Sequence, residues 1–220
     1  MTRADRDLLV FHGLFAAVAV GGLLLPVGPI GWRVLILVVL YNVALPLWAR
    51  ARGHSRAFGL WRFLVPLSLF QVVPDAFLAD VLGVLVFPDT GGPRLGSVSL
   101  ALAGMWTIPL FAIAWIAGRV EEGRGATVAG WTAAGLALVG FGAAEATLWV
   151  IPIWYTQGVA QIGAVALFVL APEALLGATT YLAERETRDR GPLAQVGAAG
   201  LVALVYLGAL GASYWFFEAA

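Results

Sequence analysis

The stretch LFQVVPDAFLAD, Leu69 to Asp80, sets Pro74, Asp75 and Asp80 inside a run that is otherwise almost wholly apolar. A hydrocarbon core about 30 Å thick is crossed by about 20 apolar residues in a helix, and the segment from Leu60 to Leu82 meets that length. The apolar character continues to Phe87, which at about 1.5 Å per residue is too much helix for an upright crossing. Pro74 offers a way to shorten it. Proline lacks an N–H and presses on the carbonyl four residues back, which predicts a kink near Phe70 with Asp75 beside the loosened turn. An aspartate at a helix centre in lipid costs roughly 2.5 to 3.5 kcal/mol, so such a residue faces the protein interior and marks a pathway or a reaction site. A second stretch, FVLAPEALLG from Phe168 to Gly177, repeats the arrangement with Pro172 and Glu173.

The whole chain agrees with a membrane reading. It is 61% hydrophobic and 12% charged, with mean hydropathy +0.90, well beyond an ordinary soluble domain. Seven apolar runs of spanning length can be drawn: Leu8–Leu25, Trp32–Trp48, Leu60–Leu82, Val98–Gly118, Thr127–Val150, Val159–Ala183 and Leu193–Phe217. They are continuous rather than alternating, which predicts helices and not a barrel. The expected fold is therefore an all-α polytopic bundle of seven transmembrane helices, residues 1–220 forming one domain. The first run is followed by Pro26, Val27 and Gly28 rather than a small-residue cleavage site, so it reads as a retained helix.

Charge sets the expected orientation. The thirteen cations are all arginine, and eleven of them fall in one alternate set of loops, leaving Arg33 and Arg94 for the other. Basic residues accumulate on the cytoplasmic side, which places the N-terminus there and the C-terminus outside the cell membrane. The absence of cysteine excludes thiolate chemistry and Cys-ligated metal; the absence of lysine excludes a Schiff base. A net charge of zero gives no basis for nucleic-acid binding.

Four acids lie inside the predicted spans, Asp75, Asp80, Glu145 and Glu173; Asp80, five residues from Asp75, need not face the same cavity. Burial away from cations favours the neutral form of a carboxyl, and a neutral carboxylic acid is a proton donor. Gln71 lies four residues before Asp75 and Trp149 four after Glu145, so each shares a helix face with its acid. Trp106 and Tyr206 are further candidates to line a cavity. The plainer account is that each acid hydrogen-bonds a proline-freed carbonyl, a Tyr or a Gln and only holds the bundle together. His12 and His54 have no partner at ligand spacing, so no metal is expected. The loop PDTGGPRLGS, Pro88 to Ser97, lacks a phosphate-binding pattern and reads as a turn held by Asp89 and Arg94, with Ser97 or Ser99 capping the fourth helix. Glycines and alanines serve as helix-packing surfaces, with no oligomeric state implied.

The segment from Asp75 to Arg119 can be laid on that from Glu145 to Arg185, with a gap in the turn, as an internal hairpin repeat. PDAFLADVLGVLVFPDTGGPRLGSVSL and EATLWVIPIWYTQGVAQIGAVALFVLAPEALLGATTYL resemble the repeats of the small integral-membrane lycopene cyclases. In that family an acid and a glycine–aromatic turn precede a helix opening with Pro-Glu-Glu or Pro-x-Glu-Glu. Pro172 and Glu173 match; Ala174 stands at the second acid, and the first repeat has Gly104, Met105, Trp106 and Thr107 with no acid. The resemblance implies an isoprenoid-modifying enzyme, a cyclase or hydratase, in which Asp75, Glu145 and Glu173 move protons. Gln71, Trp106, Trp149 and Tyr206 would bind an isoprenoid-like molecule drawn from membrane lipid. Such a scheme requires no flavin or metal. A proton-coupled transporter using the same acids, and a non-catalytic lipid-binding subunit, are the alternatives.

Overall fold

The computed structural model describes residues 2–148 and 151–218, and they are predominantly helical. α1 (Arg3–Leu24) starts at a capping box in which Thr2 and Asp5 bond each other's backbone N–H, and it leads to α2 (Ile30–Ala51). α3 (Ser55–Phe70), α4 (Val72–Ala76) and a π-helical turn (Phe77–Val81) continue one another. Among the described residues, five helical runs are long and apolar enough to cross a membrane: Arg3–Leu24, Ile30–Ala51, Ser55–Val81, Leu102–Ala146 and Pro192–Glu218. Their outer faces expose large apolar side chains such as Leu24, Val139 and Leu204, a surface suited to acyl chains rather than water.

The Leu102–Ala146 run holds α5 (Leu102–Met105) and α6 (Thr107–Ala146). α6 is divided at Gly125, whose φ of 80° and ψ of 168° are not helical, a conformation glycine reaches because it has no Cβ. α7 (Leu167–Thr187) packs against both α6 and α8 (Pro192–Glu218). Its Glu173, Gly177, Thr180 and Glu184 share one face, and all are buried. A side chain at Gly177 would strike Ala137, and its Cβ would lie 2.6 Å from the Ala133 carbonyl oxygen. Small residues there let α6 and α7 approach closely.

Two expected spans start too early. Val98–Ser99 is the strand β3, and the helix begins only at Leu102; residues 159–166 form a loop and a hairpin, and the helix begins at Leu167. A short buried strand is as apolar as a helix, so hydropathy alone cannot separate them. Among the described residues the strands are six, of two residues each: β1 (Leu85–Val86), β2 (Arg94–Leu95), β3, β4 (Tyr155–Thr156), β5 (Gln161–Ile162) and β6 (Val165–Ala166). β2–β3 and β5–β6 are hairpins, and β1 pairs antiparallel with β4, Leu85 opposite Thr156 and Val86 opposite Tyr155. Neither Ser97 nor Ser99 caps a helix; both belong to the first hairpin, and α5 follows Ala101 without a side-chain cap. In the Pro88–Ser97 loop, Asp89 accepts from the Gly91 N–H at 2.9 Å, and Arg94 donates to the Phe87 and Ser97 carbonyls at 2.8 and 2.6 Å.

At the opposite end arginines meet acids. Arg119 bonds Asp5 and Glu122, Arg56 bonds Glu122 at 2.8 Å, and Glu121 accepts from Arg185 at 2.6 Å and from Arg188 at 3.4 Å. Glu121 lies beyond the apolar part of α6, close to the Gly125 break. Burial opposes its charged form, but the Arg185 hydrogen bond and the Arg188 charge outweigh this and hold its carboxyl below the usual carboxylate range.

Candidate functional site

Asp75 owes its position to the interrupted third run. Regular α-helix stops at Phe70, Gln71 forms the junction with ψ of −15°, and Pro74 sits in the short α4 that follows. The π-turn then closes with the Leu82 N–H on the Phe77 carbonyl at 3.0 Å. π-turns recur at functional sites because they re-aim the side chains around them. Asp75 is 5% exposed, and its carboxyl is reached from the junction of α5 and α6 by the Trp106 Nε1–H at 3.2 Å. Asp80, within the π-turn, is exposed.

Glu145 lies one residue before the end of α6 and accepts from the Ala166 N–H at 3.1 Å, across from the start of α7. Glu173 has a different setting. Pro172 cannot donate to the carbonyl four residues back, which is that of Phe168. Ser213 of α8 fills the gap, its hydroxyl donating to the Phe168 oxygen at 2.6 Å. The proline-freed carbonyl is thus not the partner of Glu173, whose Oε2 is buried without one. A buried polar atom lacking a partner costs about 1–3 kcal/mol and asks for an explanation.

Asp75, Glu145 and Glu173 line one cavity of about 310 Å³. Apolar side chains from both hairpin regions, among them Leu85, Leu102 and Val169, make most of the remaining wall. Trp106 packs edge-to-face on Phe141 and on Tyr206, with centroids 5.3 and 6.0 Å apart, so an aromatic wall stands beside the carboxyls. Among the described residues no arginine lines the cavity. Glu145 is close enough to act electrostatically on Glu173. Two lining residues, Gly140 and Ala144, are themselves exposed on the outer face of α6.

Of the residues singled out from sequence, Asp75, Glu145, Glu173, Trp106 and Tyr206 meet at this cavity. Gln71 does not. It is fully buried with both amide atoms unpartnered, one helical turn before Asp75, whose N–H bonds the Gln71 carbonyl at 3.2 Å. Trp149 lies outside the described residues. Phe141 and Trp154 were not anticipated; Phe141, four residues before Glu145, carries the same-face signal that was read for Trp149, whereas Trp154 arrives from a loop. His12 bonds the Leu8 carbonyl through Nδ1 at 2.8 Å and the Tyr41 hydroxyl through Nε2 at 3.0 Å.

No curated protein and no solved structure matches the chain. Residues 72–217 match the model of a family described as "Domain of unknown function (DUF6989)". The matched part starts at α4 and contains every residue that lines the cavity. With α1, α2 and α3 lying ahead of the matched residues, the chain is a member of the DUF6989 family.

Proposed function

We propose that this protein is a multi-pass membrane enzyme of seven crossings that modifies an isoprenoid-like molecule by acid catalysis in the cavity. In this reading the Gly125 break divides α6 into two crossings and α7 supplies another. The N-terminus and the arginine-rich end are cytoplasmic, and the C-terminus is outside. The observation that carries the proposal is the convergence of Asp75, Glu145 and Glu173 on one apolar, aromatic-walled cavity.

The chemistry needs little else. A carboxylic acid transfers its proton to one carbon of a polyene double bond; the π electrons form the new C–H bond and leave a carbocation on the neighbouring carbon. Aromatic faces of Trp106 and Phe141 steady that cation. A second double bond closes the ring, and a carboxylate removes a proton, so that the product is an isomer of the substrate. Addition of water instead gives the hydratase. The exposed rim at Gly140 and Ala144 admits such a substrate from the lipid. The likeness of Pro172 and Glu173 to the helix opening of small membrane lycopene cyclases supports the same chemistry.

Expression in a lycopene-accumulating host, with pigment analysis of wild type, Glu173→Gln and Asp75→Asn, tests it. Pigment conversion by the wild type and its loss in Glu173→Gln is the expected result. Unchanged pigment in the wild-type strain removes lycopene as the substrate.

A proton-coupled carrier is the second reading, and a specific observation favours it. Ser68, Gln71 and Thr180 are fully buried with unpartnered side chains. They lie on the helical segments that lead from Asp75 and Glu173 toward the arginine-rich end. A relay along them predicts proton uptake by proteoliposomes after a pH jump, which a closed cavity does not.

A further inference from the structure

Each hairpin turns on a glycine in the left-handed region, Gly96 with φ of 62° and Gly163 with φ of 64°. Counted from these turns the two halves correspond. Trp106 and Glu173 are each the tenth residue after the turn glycine, and Asp75 and Glu145 each stand ten residues ahead of the first residue of β1 and β4. The β1–β4 register pairs the first residue of each strand with the second of the other, the arrangement a two-fold axis between them requires. All four of these side chains line the cavity.

The corresponding positions carry different chemistry. In the first half an indole N–H answers the acid, Trp106 bonding Asp75 at 3.2 Å. In the second a carboxyl faces a carboxyl, and the pair has one backbone donor, the Ala166 N–H on Glu145 at 3.1 Å, with Glu173 Oε2 unpartnered. Two like charges in one apolar chamber repel strongly, and a proton on either carboxyl removes that repulsion.

We infer that the cavity consists of two half-sites related by a pseudo-two-fold axis and unequal in role: Glu145 and Glu173 are the proton-exchanging half, and Trp106 with Asp75 is the holding half. The Trp106 ring faces the cavity, and its indole N–H separately positions Asp75. The inference rests on the acid-catalysis reading for its direction, but the inequality itself is measured without any substrate.

The probe is dicyclohexylcarbodiimide, an apolar carbodiimide that adds covalently to neutral carboxylic acids in apolar surroundings. Full-length protein in nanodiscs is treated at neutral pH and the labels are counted and located by mass spectrometry. The wild type is expected to take one label, on Glu145 or Glu173, and Asp75→Asn to take the same one. Glu173→Gln is expected to lose most of it. Trp106→Phe, which removes only the indole donor and keeps an aromatic ring, is expected to gain a second label on Asp75. A wild type labelled on Asp75, or a Trp106→Phe protein with Asp75 still unlabelled, overturns the inference. The expected labelling without any pigment conversion sinks the lycopene reading and leaves the unequal half-sites standing.

Discussion

The hairpin that follows Asp75 and the one that follows Glu145 correspond in spacing, counted from Gly96 and Gly163, but are braced by different means. In the first, Met105 donates its N–H to the Ala101 carbonyl at 3.0 Å, an ordinary helical bond. At the corresponding place in the second, Pro172 has no N–H, and the Phe168 carbonyl is answered by Ser213 from another helix. Leu110 fills the core where Gly177 lets α6 and α7 touch, and Trp106 stands where Glu173 does. One half is held by its own backbone and an indole donor. The other is bound to its neighbours and leaves a carboxyl oxygen free. Equal spacing along the chain therefore does not imply an equal site.

That contrast can be pressed by substitution. The largest effect is expected at Glu173: Glu173→Gln should lower conversion by roughly 100-fold or more, as loss of a positioned acid does. Asp75→Asn should cost about tenfold or less, the worth of one hydrogen bond; equal losses would abolish the distinction between the halves. Placing in the second half the residue the first half uses, Gly177→Leu, should separate α6 from α7 and lower the thermal midpoint. An overpacked contact costs about 1–3 kcal/mol or more, and the reciprocal Leu110→Gly should instead lose core packing without parting those helices. Ser213→Ala leaves the Phe168 carbonyl unanswered, at about 1–3 kcal/mol in chemical denaturation, while no hydroxyl is needed at Ala101.

The smallest effect joins the halves. Glu121, from the end of the first half's helix, meets Arg185 and Arg188, from the end of the second's. Its carboxyl is held below the usual range, so this contribution is complete above that range and is lost as pH falls through it. Glu121→Gln should cost about 1 kcal/mol or less and flatten the acid limb of a stability profile.

The membrane character, the apolar runs and the acids that line the cavity were legible from the chain because burying charge in apolar surroundings is so costly that few acids occur there without a reason. Pro74 marked the interrupted helix to within one residue, since proline's missing N–H is a local fact. The two hairpins were hidden inside apolar runs, because Val98 or Val165 is as hydrophobic in a strand as in a helix. The partner of Asp75 was hidden for another reason: Trp106 is distant in sequence, and an indole donor leaves no periodic trace. Gln71 shows the converse: it is one helical turn from Asp75, as the spacing requires, yet it does not line the cavity.

The Ser213 hydroxyl on the Phe168 carbonyl has a mechanical meaning. Sliding or turning α8 against α7 would strand that oxygen in a greasy setting, so the two helices travel as a single rod. Any widening of the chamber for a bulky guest has to come from the other wall, where α6 bends at Gly125 and thins to Gly140 and Ala144.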